Sequence, residues 1–131
     1  MAALLIVFIV FIAEGVGNHS NYTAATLCYR ILGDAAPAIS AGTLVDHGQE
    51  TVEVGMRTLN QGAADLAASS TLARSHGFDA LSQDALTMRA ALQSYAADLS
   101  AENPATNLTD MKRVLASENA VSSDCTTLDG R

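Results

Sequence analysis

Two apolar ladders of equal pitch organise the middle of the chain. The first is Val52, Met56, Leu59, Ala63 and Leu66; the second is Leu81, Ala85, Met88, Leu92, Tyr95 and Leu99. Each steps four residues and then three, which lays a narrow apolar seam along one side of a helix. Ser75, His76 and Gly77 break the pattern between them. Two seamed helices joined by so short a connection fold back on each other, so the pattern predicts an antiparallel, coiled-coil-like hairpin of long helices.

The flanks predict further helices. One spans Thr23 to Gly33, carries Leu27, Cys28 and Ile31, and ends where Gly33 suits the left-handed residue after a helix and Pro37 blocks continuation. Helix two is expected from Thr43 to Arg74, about 48 Å long at the usual rise. Helix three runs from Asp79, read as its N-cap, to Ser100. The fourth runs from Asn103 to Val121, opened by the Asn103-Pro104 start signal and striped by Leu108, Met111 and Leu115. The expected fold class is therefore all-α, a long-helix hairpin with one or two shorter packed helices.

Gly48, Gly55 and Gly62 stand seven residues apart in the second stretch, each costing about 1 kcal/mol in a helix interior. Two readings remain open. Either the glycines admit another backbone at close range, from helix one, helix four or a second copy, or helix two is broken near Gly48 and begins around Glu50. Glu53 and Arg57 stand in the order that supports helix.

With 131 residues the chain has room for one domain, and 24 alanines with no tryptophan predict a core of small side chains between closely packed helices. A net charge of −7, spread thinly, disfavours nucleic acid and anionic membrane surfaces, which require clustered Lys and Arg. The unbroken apolar run Leu4 to Ile12, followed by small residues at Ala13, Gly15 and Gly17, reads as a signal peptide over residues 1–17, with residues 18–131 as the helical domain. A retained anchor is the competing reading of the same run; it is shorter than the roughly 20 apolar residues of a membrane span.

Export gives meaning to two further features. Cys28 and Cys125 are the only cysteines, and a bond between them would close nearly the whole domain, worth roughly 4 to 5 kcal/mol in the chain-entropy account. Unrelated thiols or an intermolecular bridge are the alternatives. Glycosylation sequons begin at Asn18, Asn21 and Asn107, the last in the expected first turn of helix four.

Catalytic chemistry finds little support. Asp46, His47 and Glu50 lack the second histidine or carboxylate cluster that a metal on a helix requires, and Ser69-Ser70-Thr71 has no base at hand. No phosphate-binding glycine loop and no nucleophile elbow occurs. The expectation is a protein without catalytic, cofactor or metal residues and without a small-molecule substrate.

The leader, the Asn-rich start, the run Ala24-Ala25-Thr26-Leu27-Cys28-Tyr29-Arg30-Ile31-Leu32 and the alanine-rich heptad hairpin together resemble the amino-terminal region of the variant surface glycoproteins of African trypanosomes. The resemblance covers roughly Met1 to Ser100. It implies an extracellular or surface-displayed coat glycoprotein, homodimeric, with Cys28 in a disulfide, serving antigenic variation. Membrane association would run through a glycolipid anchor that this chain, ending in the polar segment Thr127 to Arg131, does not carry. A second class of function fits the length and helix content: a small secreted inhibitor or binding module, of the kind that blocks invertase or pectin methylesterase.

Overall fold

The computed structural model describes residues 23–100 and 102–129; the expected signal peptide and the sequons at Asn18 and Asn21 lie outside them. Four helices follow one another: α1 Ala24–Asp46, α2 Val52–Ser75, α3 Asp79–Asp98 and α4 Pro104–Asp129. Among the described residues there is no strand. Short connections force each helix to run antiparallel to the one before it. Packing links α1 with α2, α2 with α3, α3 with α4 and α4 back to α1, while α2 and α4 sit diagonally apart. The result is an up-down-up-down four-helix bundle with its core between all four.

The hairpin seams behave as their periodicity predicts. Leu59, Ala63, Leu66, Leu81, Ala85, Met88, Leu92, Tyr95 and Leu99 are buried, and Val52 and Met56 pack at the margin of the same cluster. The α2–α3 interface is the most extensive in the molecule. Near the turn it is fixed by two buried serines, with Ser70 Oγ and Ser82 Oγ 2.7 Å apart.

Helix α1 overturns the expectation of a short first helix. It passes through Gly33 and Pro37 without interruption and reaches Asp46. Both breakers face solvent, so the carbonyl of Gly33 that loses its amide partner to Pro37 can be hydrated. On the opposite face Leu27, Ile31, Ala35, Ala38, Ala41 and Val45 form a continuous buried stripe. Burial along that stripe outweighs the local penalty of the two breakers. Thr23 caps the helix by accepting a hydrogen bond from the Thr26 amide at 3.1 Å.

The break near Gly48 is real, and helix two is correspondingly shorter than the Thr43 to Arg74 span, at 24 residues. Gly48 has φ +70° and Gly77 has φ +86°. At the first, the Gly48 amide donates to Val45 O at 3.0 Å and the Gln49 amide to Leu44 O at 2.8 Å. At the second, the Gly77 amide donates to Arg74 O at 3.0 Å and the Phe78 amide to Ala73 O at 2.9 Å. Both are Schellman ends, and each is spelled His-Gly in the sequence. Thr51 then caps α2 through the Val54 amide. Helix α3 departs from expectation at its start: Phe78, not Asp79, is the N-cap residue, and Asp79 instead places its charge in the first turn.

Close approach explains Gly55, Gly62 and Gly42. A Cβ on Gly55 would stand 2.7 Å from Val45 Cγ2 and 2.9 Å from Leu99 Cδ2, and one on Gly62 would stand 3.1 Å from both Ala38 Cβ and Leu92 Cδ1. It is helix one that comes near, as one of the sequence readings has it. Gly42 of α1 makes room in the same way for the Tyr95 ring and hydroxyl.

Cys28 and Cys125 are bonded, with Cα atoms 6.0 Å apart and a sequence separation of 97. The bond joins the start of α1 to the end of α4, at the end of the bundle that also holds the α2–α3 turn. Helix α4 is longer than expected, continuing to Asp129, and it is rotated relative to expectation. Leu108 and Leu115 are exposed, at 53% and 40%, whereas Asn107, Asp110, Val114, Ser117, Val121 and Cys125 are buried. The inward stripe is thus the neighbouring heptad register, in which Val114 and Val121 line up with the disulfide.

Substituting alanine at two helical glycines is expected to change stability in opposite directions. Gly33→Ala, with open space around the added methyl, should raise stability by up to about 1 kcal/mol and the melting temperature with it. Gly42→Ala, which collides with the Tyr95 side chain, should lower it despite the same gain in helix propensity. Thermal unfolding followed by circular dichroism distinguishes the two.

Candidate functional site

The richest polar constellation sits at the end of the bundle opposite the disulfide, where the end of α1, the end of α3 and the first turns of α4 meet. Its centre is Asn107, fully buried. The Asn107 amide nitrogen donates to Asp46 Oδ1 at 2.8 Å and to the Ser100 carbonyl. Its side-chain oxygen accepts from the Ser100 amide at 3.1 Å. One side chain therefore closes the α3–α4 connection as a peptide group would, and ties it to α1. Asn103 caps α4 by accepting from the Thr106 amide at 3.3 Å, as the Asn-Pro signal predicts.

This arrangement corrects the expectation of a glycan at Asn107. The nitrogen to which a sugar would be attached is enclosed and has donated its hydrogens to Asp46 and Ser100, so a glycosylated chain could not adopt this packing.

One turn on, Asp110 is 2% exposed although it carries a carboxyl group. Its Oδ1 accepts from Arg113 at 3.2 Å, and Arg113 also reaches Ser94 Oγ on α3. Its Oδ2 is buried without a donor. Loss of solvent raises the Asp110 pKa, the nearby Asp98 raises it further, and Arg113 opposes both. The Tyr95 hydroxyl, also enclosed, has no partner. Its pKa is pushed up to about 12, chiefly by burial and then by the charges of Asp46 and Asp110, so the phenol stays neutral.

At the disulfide end, Asp84 on α3 faces Asp124 on α4. Its Oδ2 is likewise buried without a donor, and its pKa rises to about 7 through desolvation and the adjoining Asp124 carboxyl. A third network joins α1 to α2: Arg30 Nε donates to Ser69 Oγ at 2.9 Å, and Ser69 Oγ donates to Asp34. Burial raises the Asp34 pKa in spite of that hydrogen bond. Ser69 is fully buried between a guanidinium and a carboxylate, which holds the helices together but does not generate a nucleophile. The adjoining cleft of about 310 Å³ runs from Asp34 past Arg57 to Asp65.

Of the sequence-selected residues, Cys28 and Cys125 are brought together and Asn107 becomes a structural tie. His47 terminates α1, donating its backbone amide to Thr43 O. Among the described residues no group of three or more His, Cys, Asp or Glu is arranged to hold a metal ion. The buried carboxyls of Asp84 and Asp110 are not anticipated from sequence. Their only signal is an aspartate recurring beside an apolar stripe, at Asp84 and Asp98 on α3 and at Asp110 and Asp124 on α4.

No protein-family model, curated protein or solved structure matches the chain. Within the described residues, no helix is long and apolar enough to cross a membrane.

Two substitutions test this end of the bundle. Tyr95→Phe removes an unpartnered buried hydroxyl and should leave stability unchanged or raise it by about 1 kcal/mol. Asn107→Ala should lower stability by about 2 kcal/mol or more, because the Ser100 backbone groups lose their partner in a buried setting. Chemical denaturation of both variants gives the comparison.

Proposed function

We propose that the chain is an exported, non-catalytic helical-bundle protein of the surface-coat kind, acting through its shape and its display. The observation that carries this reading is the Cys28–Cys125 bond between the first and last helices. Such a bond persists in an oxidising compartment and suits a small domain whose alanine-rich core buries little area per residue. It agrees with a cleavable leader over residues 1–17 and with glycans at Asn18 and Asn21. Homodimerisation is part of the same reading. Leu108 and Leu115, one heptad apart on the outer side of α4, are large apolar side chains left exposed and form the natural contact for a second copy.

The bundle architecture also favours a second reading. Helices of 23, 24, 20 and 26 residues make four comparable rods instead of a dominant hairpin with small additions. Such a form suits the second class of function, a small secreted inhibitor or binding module of the kind that blocks invertase or pectin methylesterase.

Expression of the full chain in a eukaryotic secretory host provides the test. The expected result is export into the medium or to the cell surface, with Cys28 and Cys125 resistant to alkylation until reductant is added. Cytosolic retention with both thiols reactive would overturn either exported role. Light scattering then separates the two: a dimer dissociated by Leu108→Glu supports the coat reading, and a monomer that binds a secreted hydrolase supports the inhibitor reading.

A further inference from the structure

The α3–α4 interface has an uncommon composition. Along its outer edge small side chains line a groove of about 540 Å³, with Ala90, Ala116 and Ala120 exposed and Ala91 and Ser117 buried. At each end of the interface, an aspartate of α3 stands beside an aspartate of α4: Asp84 with Asp124 near the disulfide, and Asp98 with Asp110 near the α3–α4 connection. The two aspartates of each helix are two heptads apart, so both pairs occupy equivalent positions of one antiparallel register.

Each pair contains a buried carboxyl oxygen without a donor, Asp84 Oδ2 in one and Asp110 Oδ2 in the other. The surroundings offer little compensation. Asp124 is the charged group that acts on Asp84. On Asp110 act Asp98 from α3 and Arg113 from α4 itself, and Arg113 occupies the other oxygen, Oδ1. From α1, Asp46 adds a further negative charge at the same end, where it acts on Tyr95. A carboxyl with an enclosed oxygen resists ionisation beside a second carboxylate, even where the second, as at Asp98, is exposed. A single proton held between them turns repulsion into a hydrogen bond and supplies the donor that the orphaned oxygen lacks.

We propose that α4 is held on α3 by two proton-dependent clamps, Asp84–Asp124 and Asp98–Asp110, so that the bundle is tightened in mildly acidic surroundings and loosened at slightly alkaline pH. The direction follows from linkage. Asp84 is raised from 3.8 to about 7 and Asp110 is raised as well, so the folded chain binds protons that the unfolded chain releases. The stabilisation is complete below the ordinary aspartate range and is lost as pH rises through the raised values. The disulfide keeps the end of α4 tethered throughout, so loosening takes the form of α4 shifting on its neighbours while remaining attached.

The test uses the full disulfide-bonded chain and a variant, Asp84→Asn with Asp110→Asn, in which amide groups donate permanently to Asp124 and Asp98. For the unaltered chain the melting temperature should fall by about 5 °C or more between about pH 5 and pH 8. In the variant that dependence should largely disappear. The variant alters no other ionisable side chain, so the comparison isolates the two aspartate pairs. A flat profile for the unaltered chain, or an equal slope in the two proteins, would overturn the proposal. Should the variant fold poorly, carboxyl-carbon NMR titration of the unaltered chain decides: a midpoint near 7 for one member of the Asp84–Asp124 pair supports the clamp, and midpoints near 4 for every aspartate refute it.

Discussion

The covalent tie between Cys28 and Cys125 sets the orientation of the last helix, and most of the unusual chemistry of the molecule follows from that orientation. A helix with Leu108, Met111 and Leu115 on one side would ordinarily turn that side inward. Instead Cys125 must meet Cys28, and Val114 and Val121 share its face. The turn of α4 that satisfies the bond carries Asn107, Asp110, Ser117 and Asp124 toward α3 and α1. Each of these polar groups then needs a partner within the protein, since water is no longer close at hand. Asn107 finds three hydrogen bonds, and Ser117 donates to Val114 O at 2.7 Å. Asp110, and at the other end of the interface Asp84 beside Asp124, are each left with one enclosed oxygen that has no donor.

A core in which alanine and glycine alternate with leucine and valine has the complementary consequence. Small side chains bring helices close, and close helices leave no space for adaptation. Tyr95 fills the gap above Gly42, while Leu92 and Ala38 meet over Gly62 and Val45 and Leu99 meet over Gly55. These contacts fix α1, α2 and α3 against one another with little tolerance for added volume. Helix α4 adds Val114 and Val121 to the same core, with Met111 and Leu128 packed against it, and is tied further by the disulfide, by Asn107 and by the carboxyl pairs.

What was legible in the sequence reflects which side chains announce a face. Leu59, Leu66, Leu81, Leu92 and Tyr95 are large and spaced at helical pitch, and their seam is where periodicity places it. Helix α1 concealed itself because alanine marks no face: Ala35, Ala38 and Ala41 are buried, while Ala25 and Ala36 on the same helix are exposed. Against so faint a stripe, Gly33 and Pro37 carried more weight locally than they carry in the packed molecule. The His-Gly ends were readable at Gly77, where the apolar pattern lapses, and ambiguous at Gly48, which shares its heptad position with Gly55 and Gly62. Asn103 and Pro104 identified the start of α4 correctly, but a start signal says nothing about rotation. Rotation is settled by Cys125, more than twenty positions away, and the heptad of Val114 and Val121 that shares its face is a fainter signal than Leu108 and Leu115.

The buried carboxyls were hidden for a related reason. An aspartate beside a seam ordinarily points to solvent, and a single chain contains nothing to show that the facing helix presents another aspartate at the same level. Only the antiparallel register of α3 and α4 matches Asp84 with Asp124 and Asp98 with Asp110. Two pairs at equivalent positions, two heptads apart on both helices, amount to a matched arrangement, since displacing one helix by a single residue would separate both together. A bundle stabilised by shape alone would fill those positions with apolar residues and be more stable at every pH. Aspartates make stability depend on proton concentration, and they do so at the interface that joins α4 to the hairpin. Chemical sensitivity is thus located on the helix that the disulfide prevents from leaving, which allows α4 to respond to its surroundings without unfolding the hairpin beneath it.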